Sequence, residues 1–185
     1  MIHVVRRIVL LAAMVGFAAG ASAQDLGSAD SSEHLIKAGY VYNFAKLVEW
    51  PASAVRTGQP LVIGVLGNDA FATVLARVVE GKKIVDRSFV VKRLKDKEFK
   101  DCGCQILFIA EGDRSLTSEI IQFQRAASML TIAEAPDFAK RGGIIGLTVV
   151  DSRIRFLVNV EAAAQAGLNI SSRLLALATI VRTSR

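Results

Sequence analysis

Hydrophobic positions along this chain switch repeatedly between helical and strand periods. From Glu33 to Glu49 they recur at helical spacing. Ile36, Tyr40, Phe44 and Leu47 form one line, and Leu35, Ala38, Val41, Ala45 and Val48 fill the flank beside it. So wide a stripe belongs against a sheet. Asp30-Ser31-Ser32-Glu33 is a start signal, with short polar caps and a glutamate reaching back. Glu33 and Lys37 stand at the i,i+4 spacing of a salt bridge. Pro51 stops the helix, because the residue before proline is pushed out of helical geometry. "PLVIGVLG" (60–67) is a continuous apolar run closed by glycine, the pattern of a buried parallel strand. In "NDAFATVLARVV", Phe71, Val74, Leu75 and Val78 share a helical face, and Asn68 or Asp69 can cap it. "KKIVDRSFVVKRL" predicts a short strand, a turn near Asp86-Arg87 and a second strand. "CQILFIA" (104–110) is another buried strand, "SLTSEIIQFQRAA" a helix from Ser115 or Thr117, and "SMLTIAEAP" (128–136) a strand ending in a turn around Pro136.

The rhythm then changes. "GGIIGLTVVDSRIRFLVNV" (142–160) predicts two strands around a tight turn at Asp151-Ser152-Arg153, an antiparallel hairpin. "EAAAQAGL" is a short helix stopped by Gly167, and Ser171-Ser172 caps a terminal helix. Strands alternating with helices and then a hairpin predict an α/β fold: one three-layer, Rossmann-like domain, its sheet mostly parallel with an antiparallel hairpin near the C-terminus. No repeat or long linker divides residues 30–185, and residues 24–29 are expected to form a flexible leader to the domain.

Composition changes this picture at the N-terminus. Arg6 and Arg7, an apolar run from Ile8 to Ala19 and Ala21-Ser22-Ala23 make a secretory signal peptide over residues 1–23, cleaved after Ala23. The apolar run is short for a membrane span, so the mature chain is expected in the periplasm without stable membrane insertion. Losing the two arginines lowers the net charge from +6 to +4. The remaining basic residues are dispersed except in "VKRLKDKEFK" (91–100), where Asp96 and Glu98 interrupt the lysines. A solvated face accounts for that better than a phosphate-tracking groove, and nucleic acid is set aside as a partner.

Candidate chemistry is sparse. After the signal leaves, His34 is the one remaining histidine, at the start of the first helix, an exposed position poorly placed for a general base. An exported hydrolase would have to use it. No metal site is expected, since two cysteines separated by a single residue do not close a zinc site. Cys102 and Cys104 leave three readings open: a buried Cys104 with Cys102 exposed, a labile bridge between them, or pairing with another chain. "GVLGNDAF" (64–71) is the nearest thing to a phosphate turn but lacks the glycine spacing of one. Gly67, Asn68, Glu111 and Asp113 fall at carboxyl ends of predicted strands, where α/β sheets bind ligands. "RGGIIG" (141–146) reads as a turn leading into a strand, with a backbone nest as the alternative. No cofactor and no catalytic residue is assigned.

"KAGYVYNFAKLVEWP", "CQILFIA" and "TIAEAPDFAKRGGIIGLTVVDSRIRFLVNVEAAAQAGLNISSRLLALATIV" resemble, in order, segments of the YfiR family of exported bacterial proteins. The late segment is the most specific, with its "RGG" turn, "RIRF.VN" strand and "ISSRLL" helix start. The resemblance implies a non-enzymatic periplasmic regulator. It would bind the periplasmic domain of an inner-membrane signalling protein, a YfiN-type diguanylate cyclase, and restrain cyclic-di-GMP output. It also implies a homodimer and redox sensitivity through cysteines. With only Cys102 and Cys104 available, a bridge joining distant parts of the fold cannot form within one chain. The alternative function is a periplasmic module binding a small ligand or cell-wall fragment. Four of the twelve aromatics lie in residues 38–51. Tyr42, off the main line, and Trp50-Pro51, past the helix end, are the candidates for a partner surface, together with Arg173, because arginine is enriched at interfaces. Asn43 is either a buried anchor or part of that contact.

Overall fold

The structure, a computed structural model, describes residues 23–110, 116–150 and 153–184. The expected signal peptide and the positions Glu111 and Asp113 lie outside them, apart from Ala23 itself.

Strands β2 (Leu61–Leu66), β5 (Ile106–Ile109) and β6 (Leu130–Ala133) are the apolar runs. Each is covered on both faces, and the strand period divides its side chains between two cores. Leu61, Ile63, Val65, Ile106, Phe108, Leu130 and Ile132 face one core; Leu66, Leu107, Ile109 and Ala133 face the other. Helices α1 (Ala23–Leu47), α2 (Asp69–Val79), α5 (Val160–Gln165) and α6 (Ser172–Leu175) contribute to the first core. Helices α3 (Thr117–Ala127) and α4 (Pro136–Lys140) contribute to the second. This is the expected three-layer α/β arrangement.

Strands β3 (Lys83–Ile84), β4 (Arg87–Leu94), β7 (Ile145–Val150), β8 (Arg153–Asn159) and β10 (Thr179–Val181) complete the sheet, in the order β10-β8-β7-β6-β5-β2-β4-β3. β4, β2, β5, β6 and β7 run parallel, and β7–β8 is the predicted antiparallel hairpin. Apart from it, β1 (Val48–Glu49) and β9 (Asn169–Ile170) form a two-stranded ribbon that ties the end of α1 to the segment before α6. Ser171 N–H donates to the Leu47 carbonyl across the same junction at 2.9 Å.

Several expectations are corrected. α1 starts at Ala23, ahead of the cap at Asp30, so residues 24–29 are helical; Asp and Ser cost a helix interior only about half a kcal/mol each. Its buried line is Ala38, Val41, Phe44 and Ala45, joined by His34 and continued by Val48 of β1, whereas Leu35 and Ile36 are more than half exposed. The helix is rotated so that the histidine, one position earlier, points inward. Asn43 is exposed, not a buried anchor. Pro136 begins α4 at a position where its missing N–H costs nothing. The terminal helix is one short turn, after which Thr179-Ile180-Val181, two of them β-branched aliphatics and the third threonine, takes the free edge of β8 in parallel.

Val85 and Asp86 have φ of 47° and 64°, the left-handed pair of a tight two-residue hairpin. Its first strand is so short that β3 covers only Arg87 and Ser88 of β4.

Candidate functional site

The chain runs from β2 outward to β4 and then returns to β5 on the other side, so the sheet reverses direction between β2 and β5. In open α/β sheets the crevice beyond the carboxyl ends of the strands at such a point is the usual ligand site. Here Gly67 turns the chain out of β2 with φ of 89°. Asn68 caps α2, its Oδ1 accepting from Phe71 N–H at 2.8 Å. The crevice is roofed by α1. His34 is only 8% exposed, its ring edge-on to Phe71 with centroids 5.7 Å apart and its Nε2 3.5 Å from Asn68 Nδ2. The expectation of a solvated His34 is thereby corrected: packing, not solvent, surrounds it.

One turn along α1, Lys37 reaches Glu134, at the carboxyl end of β6, and Glu33 at 2.5 Å. Burial works to lower the Lys37 pKa, but its hydrogen bonds to Glu134 and Glu33 outweigh this and raise it above its ordinary value. The group is therefore a charged clasp holding α1 to the sheet. Glu33–Lys37 was legible from spacing. Glu134 was missed, although a carboxylate directly after a buried strand is a recognisable signal.

The partner-surface candidates separate into three places. Tyr42 lies over the β4 side, half-buried, edge-on to Phe89 at 5.8 Å and flanked by the Lys46 and Lys82 ammonium groups at 5.5 and 5.4 Å from its ring centre. Trp50 and Pro51 follow β1 and are half-buried. A methyl placed on Gly167 would stand 3.7 Å from the Pro51 ring, so the proline sits against the end of α5. Among the described residues, the buried Trp50 Nε1 meets no hydrogen-bond acceptor. Arg173 is exposed at the start of α6, where Ser171 Oγ accepts its N–H at 3.2 Å. In the antiparallel register of the ribbon, Trp50 and Pro51 continue towards Leu168 and Gly167 at one end, whereas Arg173 follows Ser171 beside Leu47 at the other, and Tyr42 stands over β4.

Cys102 and Cys104 are joined to each other, and both are buried, with Gly103 between them at φ of 62°. The reading with Cys102 exposed is corrected. The Lys92 ammonium donates to the Cys102 carbonyl at 2.7 Å. Beside the bridge a cavity of about 530 Å³ opens, lined in part by Arg56, Val62, Phe99, Lys100 and Phe123. Lys100 is already paired with Glu119. "RGGIIG" is a turn held by packing: a methyl on Gly143 would fall 2.0 Å from the Phe138 ring. Among the described residues, no group of three or more His, Cys, Asp or Glu is placed to hold a metal ion, and no helix is long and apolar enough to cross a membrane.

The family model described as YfiR/HmsC-like matches residues 34–179. No curated protein matches. Among solved structures, a conserved domain protein from Vibrio cholerae O1 biovar El Tor is similar with 18% identity and a TM-score of 0.46, covering 64% of this chain and 54% of its own. An ABC domain in complex with L-Trp from Streptococcus pneumonia is similar with 11% identity and a TM-score of 0.48, over 70% and 57%. The chain spans little more than half the length of either.

Proposed function

The chain belongs to the YfiR/HmsC-like family, whose members are periplasmic regulators of diguanylate cyclases, and on that premise we propose that it acts by binding the periplasmic part of an inner-membrane signalling protein of the diguanylate cyclase type, restraining cyclic-di-GMP output without catalysis of its own. The family match over residues 34–179 carries this reading. The bound regulator biases its partner between two states by the difference in its affinity for them. The contact is assigned to Trp50 and Pro51, to Arg173 at the other end of the ribbon, and to Tyr42. Export by residues 1–23 and a homodimer belong to the same reading.

Deleting the gene should raise cyclic-di-GMP, and crosslinking in intact cells should recover a membrane partner. Unchanged cyclic-di-GMP with no membrane partner recovered would overturn the proposal. A small ligand in the crevice at Gly67 and Asn68, the alternative, would have to work around the α1 roof at His34 and the cap that already occupies the Asn68 side chain.

A further inference from the structure

Among the described residues, β4 from Phe89 to Leu94 has a neighbour on one side only. β2 pairs with it from Leu61↔Phe89 to Leu66↔Leu94, while β3 stops at Ser88. In the two-residue hairpin, Ile84 and Arg87 are the closing pair, so outward-facing backbone groups recur on β4 at every second residue: Phe89, Val91 and Arg93. Such a row of unpaired donors and acceptors is a template for another strand. Along the same edge a groove of about 460 Å³ separates β4 from α2. Phe89 and Val91 form its floor, and Arg77, Glu80, Lys82 and Arg93 stand around it. A helix beside an open edge, with a groove between them, is the arrangement in which an extended peptide adds to a sheet and places alternate side chains in pockets.

The charge on this edge selects the occupant. Residues 81–97 carry seven cations against Asp86 and Asp96. Among the described residues, Lys82, Lys83, Arg87, Lys92 and Arg93 make no ion pair with a carboxylate within 4.0 Å; Arg93 donates to Thr73 Oγ1 at 2.9 Å and Lys92 to a carbonyl. A second copy pairing through its own β4 would bring cations opposite cations, which destabilises a ladder. We infer that the open edge of β4 binds an extended acidic segment of a partner protein as an added strand, its backbone bonded to Phe89, Val91 and Arg93, an apolar side chain in the groove and carboxylates against Lys82 and Arg93. This names one contact of the partner binding proposed above and rests on that reading for where the segment comes from.

The probe is a panel of acetylated peptides with glutamate at alternate positions and a different apolar residue at the others, titrated into the mature protein and followed by amide hydrogen exchange. Binding should slow exchange at Phe89, Val91 and Arg93. Lys82→Glu with Arg93→Glu should weaken binding about tenfold or more, since like charges brought together at an interface cost at least that much. Val91→Pro should abolish binding while the fold survives, because the N–H it removes faces outward from an edge. Peptides methylated on alternate backbone nitrogens should not bind. No binding by any member at millimolar peptide, equal binding by the methylated peptides, or protection of the edge that rises with protein concentration alone would each overturn the inference, the last by assigning the edge to a second copy. The two proposals separate in cells. If gene deletion raises cyclic-di-GMP but the Lys82→Glu/Arg93→Glu variant represses normally, the edge inference fails and the regulatory reading stands.

Discussion

Asn159 shows how much of the late "RIRF.VN" segment is architecture. Its side chain is fully buried, donates to the Ala139 carbonyl at 2.8 Å and to Thr183 Oγ1 at 3.0 Å, and accepts from Ala162 N–H at 2.9 Å as the cap of α5. Beside it Gln124, also buried, donates to the Gly142 carbonyl at 2.7 Å and accepts from Thr131 Oγ1 at 2.5 Å, fixing the turn before β7. Asn159→Ala loses the cap and strands a buried carbonyl, so it should cost about 2–3 kcal/mol in urea unfolding. Lys37 makes a prediction of a different sign. Its pKa is raised in the fold, so the stability it contributes is present below 10.5 and lost as pH rises through the higher folded value. The thermal midpoint should therefore fall in the alkaline window above pH 10.5, and Lys37→Met should flatten that part of the curve. Individual residues were the least legible scale in the sequence. The capping roles of Asn68 and Ser171 follow from local spacing, but Lys37 meets Glu134 across a separation of 97 residues, which no periodicity encodes.

At the scale of elements, the buried strands were legible because a run apolar on both faces has few other homes. α1 was legible as a helix but not in its rotation. Leu35, Ile36 and His34 sit on adjacent positions, and only contact with α2 and the sheet decides which of them turns inward. β10 escaped because a three-residue strand has too little pattern of its own; the exposed edge of β8 makes it a strand. The cysteine loop carries a prediction here. The bridge closes a ring of three residues, and so small a loop removes little unfolded-state entropy, about 1–2 kcal/mol. Reduction should lower the thermal midpoint by a few degrees at most. It should leave repression of cyclic-di-GMP intact, which a gene carrying Cys102→Ser and Cys104→Ser can check.

For the whole molecule, fold class and family were readable from the order of segments, whereas the crevice was not. Its strand ends were placed correctly at Gly67 and Asn68, but a sheet read in isolation gives no sign that its own first helix will roof the reversal point. Partner binding is best tested at Arg173, which is exposed and makes no contact that the fold depends on beyond its backbone N–H. Arg173→Glu should leave stability within about 0.5 kcal/mol of the parent and reduce recovery of the membrane partner in crosslinking. Trp50→Ala is less clean, because Trp50 also packs against the core.

The β1–β9 ribbon reaches beyond stability. Glu49 and Asn169, bonded to each other at 3.0 Å, are 120 residues apart in sequence, so the end of the first helix cannot be tied down by the ribbon until nearly the whole chain has been synthesised. Contacts of such long range slow folding, since a large loop must close before they form. The ribbon is therefore among the last contacts open to the growing polypeptide, and the end of the first helix stays unfastened there until the segment before α6 has been made.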